Sequence, residues 1–156
     1  MSSILREIGA IARCFESMSN IEFKPYGLSK NQYIYLVRIC EQPGIIQEEI
    51  LTQVKVDRST ASRAIEKLER DLLIHKKQQQ GNLKNKTLYP TEKGLEMYRF
   101  LQKEERYSDA SAVKGLSEQD QQQLMELLQK VRVNVEPDWE FVKNGGTRPY
   151  RKDDLE

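Results

Sequence analysis

Ser59, Thr60, Ser62, Arg63 and Lys67 fall within nine consecutive residues, with Arg58 directly before them. Short hydroxyls interleaved with cations suit one kind of chemistry, hydrogen bonding to phosphate oxygens and to the edges of bases. Arg63 has the planar fork that matches guanine O6 and N7, although a phosphate contact would suit it equally well. Ser59, Thr60 and Ser62 can read bases or anchor phosphates, and anchoring is assigned to at least one of them. Lys67 reads as a phosphate contact. The same segment carries Ala61, Ala64, Ile65 and Leu68 at three- and four-residue spacing. A helix here would bury those four and turn the polar set outward. Asp57, one residue upstream, is a good N-cap for such a helix. A merely solvated amphipathic helix would have the same pattern, so the elements around it must decide.

Other chemistries find little support. The two cysteines, Cys14 and Cys40, do not make a disulfide framework, and a single histidine, His75, gives no imidazole cluster for a transition metal. No Gly-rich phosphate loop and no Gly-x-Ser-x-Gly elbow occurs, and no nucleophile stands with a base. An enzyme is therefore not expected, nor is a metal or cofactor. The 156 residues are 38% hydrophobic and 31% charged, polar enough that a helical core of this kind is often completed by dimerisation. No apolar run approaches the roughly 20 residues needed to span a bilayer. The N-terminus has no basic-then-apolar leader, so no membrane association and a cytoplasmic location are expected. Net charge is +1 overall, yet residues 55–90 hold nine Lys or Arg against four acids, a net +5 that leaves −4 elsewhere. A basic middle between acidic ends is the asymmetry expected when one lobe meets a polyanion.

The elements that would position this lobe follow in order. Ile4, Ile8, Ile11, Phe15 and Met18 make a helical stripe over 3–19, broken by Lys24-Pro25-Tyr26-Gly27. Ser29 and Gln32 have capping-box spacing and open a second helix from Asn31 to about Glu41. A third, short helix runs from about Ile46 to Val54, and three residues separate it from the Asp57 cap. Short helix, tight turn and polar basic helix form a helix-turn-helix layout. Residues 72–77 and 85–89 read as two strands around a Gln-rich turn, a β-hairpin wing whose cations include Lys77, Lys84 and Lys86. Thr91 caps a helix over 92–112, and Ser117 with Asp120 opens a last long helix that Pro137 ends or kinks. Residues 143–156 read as a mobile tail. The expected fold is mainly α with a small β-hairpin wing. A winged helix-turn-helix lobe (about 29–91) and dimerisation helices (about 3–19 and 92–142) make a single unit over 1–142.

Three motifs carry a family resemblance. Gly27-Leu28-Ser29-x-x-Gln32 is similar to Gly-Leu-Thr-x-x-Gln of the MarR family of bacterial transcriptional regulators. Val56-Asp57-Arg58-Ser59-Thr60-Ala61-Ser62-Arg63 resembles that family's Val-Asp-x-Ser-Thr-Val-Thr-Arg, and Leu88-Tyr89-Pro90-Thr91-Glu92-Lys93-Gly94 its Leu-x-Leu-Thr-x-x-Gly. The resemblance extends over about residues 5–135. It implies a homodimer whose terminal helices interlock, with each winged lobe placing its recognition helix in half of a pseudo-palindromic DNA operator. It also implies a repressor relieved by a small ligand or an oxidant. Two departures stand out. The family's wing usually carries Asp-x-Arg where this chain has Asn82 and Lys84, and Leu72 stands where glycine is usual.

The family also implies an effector crevice between dimer helices and winged lobe. Tyr26, Tyr33 and Tyr35 could line it for a small aromatic effector, although aromatics at helical spacing are more often core. One branch of the family senses organic peroxides through a first-helix cysteine activated by two tyrosines, which makes Cys14 a redox candidate. Its spacing from Tyr33 and Tyr35 is shorter than in that branch, and a small hydrophobe at the dimer seam is the plainer reading of Cys14. A winged helix that binds a protein or RNA, without sequence-specific DNA recognition, is the alternative function.

Overall fold

The computed structural model describes residues 3–79 and 81–151, apart from the side chains of residues 79 and 82–84. The elements are α1 (Ile4–Glu22), α2 (Gln32–Glu41), β1 (Ile45–Ile46), α3 (Gln47–Val54), α4 (Arg58–Arg70), β2 (Ile74–Gln79), β3 (Asn82–Pro90), α5 (Glu92–Ala112) and α6 (Glu118–Lys143). The fold is mainly α with a small antiparallel sheet, as the sequence leads one to expect. No helix among the described residues is long and apolar enough to cross a membrane. Two compact units divide after Arg106.

In the first unit the helical stripe of α4 buries Ala61, Ala64, Ile65 and Leu68 against Leu36, Ile39, Ile50 and Leu51. The wing is anchored from below by Ile74 and Leu88 in the same core. The sheet holds one strand more than the hairpin read from the sequence. Ile45 and Ile46 pair with Leu88 and Thr87, giving the order β1-β3-β2. Two residues are too short a run for alternation to reveal a strand, and Ile45 is identified by its burial in the core. The hairpin strands also reach further toward the tip than the sequence indicated, pairing Gln78 with Lys86.

The opening of α2 departs from the capping-box expectation. Its N-cap, Asn31, is in the left-handed region at φ 62° and makes no side-chain cap bond. Gln32 instead sends its amide across to the carbonyl of Ala64, a buried hydrogen bond that ties α2 to α4. Leu72 takes the strain that the missing glycine would have avoided, with φ 60°. The carbonyl of Leu72 accepts from the Thr91 hydroxyl at 2.6 Å, and the carbonyl of Leu73 accepts from the Thr91 backbone N–H at 3.0 Å. Thr91 Oγ1 in turn accepts from the Gly94 N–H at 3.0 Å, capping α5 as expected. Gly94 lies so close to the Leu73 carbonyl that a Cβ there would sit 2.0 Å from its oxygen.

The second unit contains α6, opened by a reciprocal Ser117–Asp120 capping box. Pro137 does not end it, and the helix continues six residues further to Lys143. Residues 144–151, read as the start of a mobile tail, fold back on the last turns of α6. The Gly146 N–H donates to Phe141 O at 2.8 Å and Arg148 pairs with Asp138 at 3.3 Å. The remainder of the expected tail, residues 152–156, lies outside the described residues.

Candidate nucleic-acid interface

The interface is built on the first turns of α4. Asp57 accepts the Thr60 N–H at 2.8 Å, so the helix is capped as its sequence predicts. The same carboxylate accepts the Thr60 hydroxyl at 2.6 Å and the Ser59 hydroxyl at 2.8 Å. Those bonds, the Thr60 hydroxyl foremost, then the Thr60 N–H and the Ser59 hydroxyl, hold the Asp57 carboxyl well below the usual carboxylate range. Ser62 accepts from the side-chain amide of Gln47 at 2.7 Å, which fixes α4 to α3. Arg58 forms an ion pair with Glu48 of α3. Arg63 is exposed and makes no hydrogen bond or ion pair to any described residue. Beside it in the same shallow hollow, with Ser59 and Ser62, is Glu66, an exposed carboxylate that the sequence reading counted only as charge. Its spacing of three from Arg63 and four from Ser62 was the available signal.

Lys67 is placed differently from the other cations. Its ammonium donates to Gly27 O and to Asp71 Oδ2, both at 2.7 Å. It lies on the flank of α4, tying the recognition segment to the turn between α1 and α2, with two of its three donors engaged inside the chain.

The wing supplies the second wall. A cleft of about 270 Å³ separates it from α3 and α4, lined among others by Arg58, Ser62, Lys76 and Lys86. Lys76, one of the nine cations of residues 55–90, is mostly covered and pairs with Glu69 at 3.6 Å. Lys77 lies over the ring of Tyr89 at 4.8 Å, on a face where His75 also stacks on Tyr89 at 5.6 Å. Lys86 is exposed at the cleft. The side chain of Lys84 lies outside the described residues. A capped helix with a partnerless arginine, flanked by a cationic hairpin, has the geometry of a winged helix-turn-helix lobe that meets a nucleic acid.

Comparison with known proteins agrees. The MarR family model matches residues 28–86. The HTH-type transcriptional regulator YybA of Bacillus subtilis (strain 168), itself uncharacterized, is 50% identical over 150 residues, which cover 96% of this chain and 100% of that protein. This chain belongs to the MarR family. Among solved structures similar to this MarR-family chain is a MarR family transcriptional regulator from Listeria monocytogenes complexed with 26mer DNA. It is 53% identical with a TM-score of 0.92, over 96% of this chain and 100% of that one. A SlyA-like transcription regulator from the same organism is 53% identical with a TM-score of 0.89, over 96% and 100% of the two chains. The MarR-family chain is thus a winged-helix transcriptional regulator and not an enzyme.

The effector and redox candidates of this MarR-family regulator are not all brought together. Tyr26 and Tyr33 join an aromatic cluster with two residues the sequence reading did not single out. Phe23 packs on Tyr33 at 4.9 Å and on Phe100 at 6.2 Å, and Phe100 packs on Tyr26 at 4.9 Å. Tyr35 is instead a core residue, 3% exposed. Burial, and then the charge of Asp57, push its phenol upward. Cys14 is exposed on α1, in a hollow lined by Ala10, Arg13, Ser17 and Met18 and by no tyrosine. Cys40 is buried, and burial, with the charge of Glu41 second, pushes its thiol up to about 12, which leaves it inert.

Proposed function

We propose that this MarR-family regulator binds double-stranded DNA sequence-specifically, with α4 in the major groove and the wing along the backbone. The observation that carries this is Arg63, exposed on α4 and without a hydrogen bond or ion pair to any described residue. The cationic cleft between α4 and the wing supports phosphate contacts by Arg58 and Lys86. The Listeria monocytogenes relative complexed with 26mer DNA supports the same reading, being 53% identical. Lys67, with two of its three donors engaged by Gly27 and Asp71, orients α4 and keeps one N–H for a phosphate.

The binding form we infer is a homodimer on a pseudo-palindromic operator. In one unit α1 leaves Ile4, Leu5, Ile11, Met18 and Ile21 exposed. In the other α6 leaves Leu124, Leu127, Leu128 and Val135 exposed. Stripes of this size on a water-soluble protein call for a partner surface. The regulator acts as a repressor in this reading, relieved when a small aromatic ligand enters beside Tyr26, Tyr33 and Phe100. Oxidation of Cys14 is the weaker route, since no tyrosine lines its hollow. It acts in the cytoplasm, where its operator is.

Selection of duplexes from a random pool by the purified protein, followed by sequencing, tests this directly. The expected product is an inverted repeat whose half-sites lie about one helical turn apart. Recovery of unselected sequence would favour a winged-helix adaptor.

A further inference from the structure

The hydroxyls on α4 do not all have the same hydrogen-bonding capacity left over. An ionised carboxylate can only accept, so the Ser59 hydroxyl, 2.8 Å from Asp57 Oδ1, must be the donor in that bond. A serine has one proton. With it directed at Asp57, Ser59 presents only lone pairs to anything in front of α4. The same holds for Thr60, whose hydroxyl is 2.6 Å from Asp57 Oδ2 and which is half-buried on the flank of the helix. Ser62 has the opposite polarity. Its oxygen accepts from Gln47 at 2.7 Å, which leaves its proton free to donate outward. The exposed face of α4 therefore carries an acceptor at Ser59 and at Glu66, and donors at Ser62 and Arg63.

We propose that Ser59 is a specificity-determining residue that accepts a hydrogen bond from a base amino group, cytosine N4 or adenine N6, and does not anchor a phosphate. This rests on the reading that α4 enters the major groove. Phosphate oxygens are acceptors, as are guanine O6 and N7 and thymine O4, so none of them can bond a hydroxyl whose proton is already placed. The amino groups of cytosine and adenine are the donors the major groove offers. Ser59 thus distinguishes the two strands of a base pair by which edge carries the amino group. Ser62 and Arg63 take the acceptor edges or the phosphates.

The test uses the full-length protein and an operator it has selected from random duplexes. Each adenine of a half-site is replaced in turn by purine, which lacks the N6 amino group, and each cytosine by 2-pyrimidinone, which lacks N4. Backbone positions are replaced in turn by methylphosphonate. At one base position wild type should lose about tenfold in affinity when the amino group is removed, the size of a typical mismatch. Ser59→Ala should be nearly indifferent to that same removal, which is the signature of direct coupling. The proposal is overturned if Ser59→Ala retains the full loss at every amino position. It is equally overturned if Ser59 couples to a methylphosphonate, which would make it a phosphate anchor. Failure of wild type to select any operator would bring down the DNA reading itself, and is told apart because it precedes every substitution.

Discussion

Asp57 carries two duties on one carboxylate, capping α4 and holding the hydroxyls of Ser59 and Thr60. Because those bonds favour the ionised form, its folded pKa lies below its unfolded value of about 4. The stability it contributes is present above that unfolded value and is lost as pH falls through the lower, folded one. In urea titrations taken from pH 5 downward, Asp57→Asn should therefore lose stability less steeply than wild type once pH drops below about 4. Identical slopes would mean the carboxylate is not held this way. Arg63 acts on the outside of the same helix. Arg63→Ala should lower affinity for a selected operator by about 1–3 kcal/mol more than for random duplex, measured by competition. An equal loss on both would assign Arg63 to phosphate. The cap and the free arginine were legible because both depend on neighbours within one or two helical turns. The engagement of Lys67 by Gly27, forty residues away, was not, since only the packing of α4 against that turn creates it.

The turn from α4 into β2 and the start of α5 meet at Leu72, Leu73, Thr91 and Gly94. Leu72 occupies the left-handed region at a cost of about 1–2 kcal/mol, and its side chain, 68% exposed, recovers little by burial. Leu72→Gly removes that cost but adds chain entropy to the unfolded state, so a net gain of up to about 1 kcal/mol is expected by urea denaturation. A loss would mean that Leu72 makes contacts of greater weight than its exposure indicates. Gly94→Ala sets a Cβ 2.0 Å from the Leu73 oxygen, where only backbone movement can relieve it. A loss of about 3 kcal/mol is expected in the same assay. The penalty at Leu72 could be read from the missing glycine. The reason for Gly94 could not, because the obstructing carbonyl belongs to a residue that is distant in sequence. The starts of α4, α5 and α6 agree with the sequence, each opened by Asp57, Thr91 or Ser117 bonding within its own first turn. The start of α2 does not, because Gln32 finds Ala64 across the core in place of its own helix end.

On the scale of the whole molecule, the apolar residues exposed on α1 and on α6 are the strongest indication that the chain does not work alone. Sedimentation at low micromolar concentration should give twice the 18.3 kDa chain mass. A folded monomer under those conditions would remove the second recognition helix, and with it the palindrome. The division of charge, +5 in residues 55–90 against −4 elsewhere, is the sequence feature from which the winged lobe is proposed as the face that meets a polyanion. The central claim is that this lobe reads sequence and is not merely cationic. A fluorescence-anisotropy competition between a selected operator and a scrambled duplex of the same composition, at one near-physiological salt concentration, measures that difference directly. A preference of at least about a thousandfold for the operator is expected. Equal affinity for the two duplexes would contradict the account.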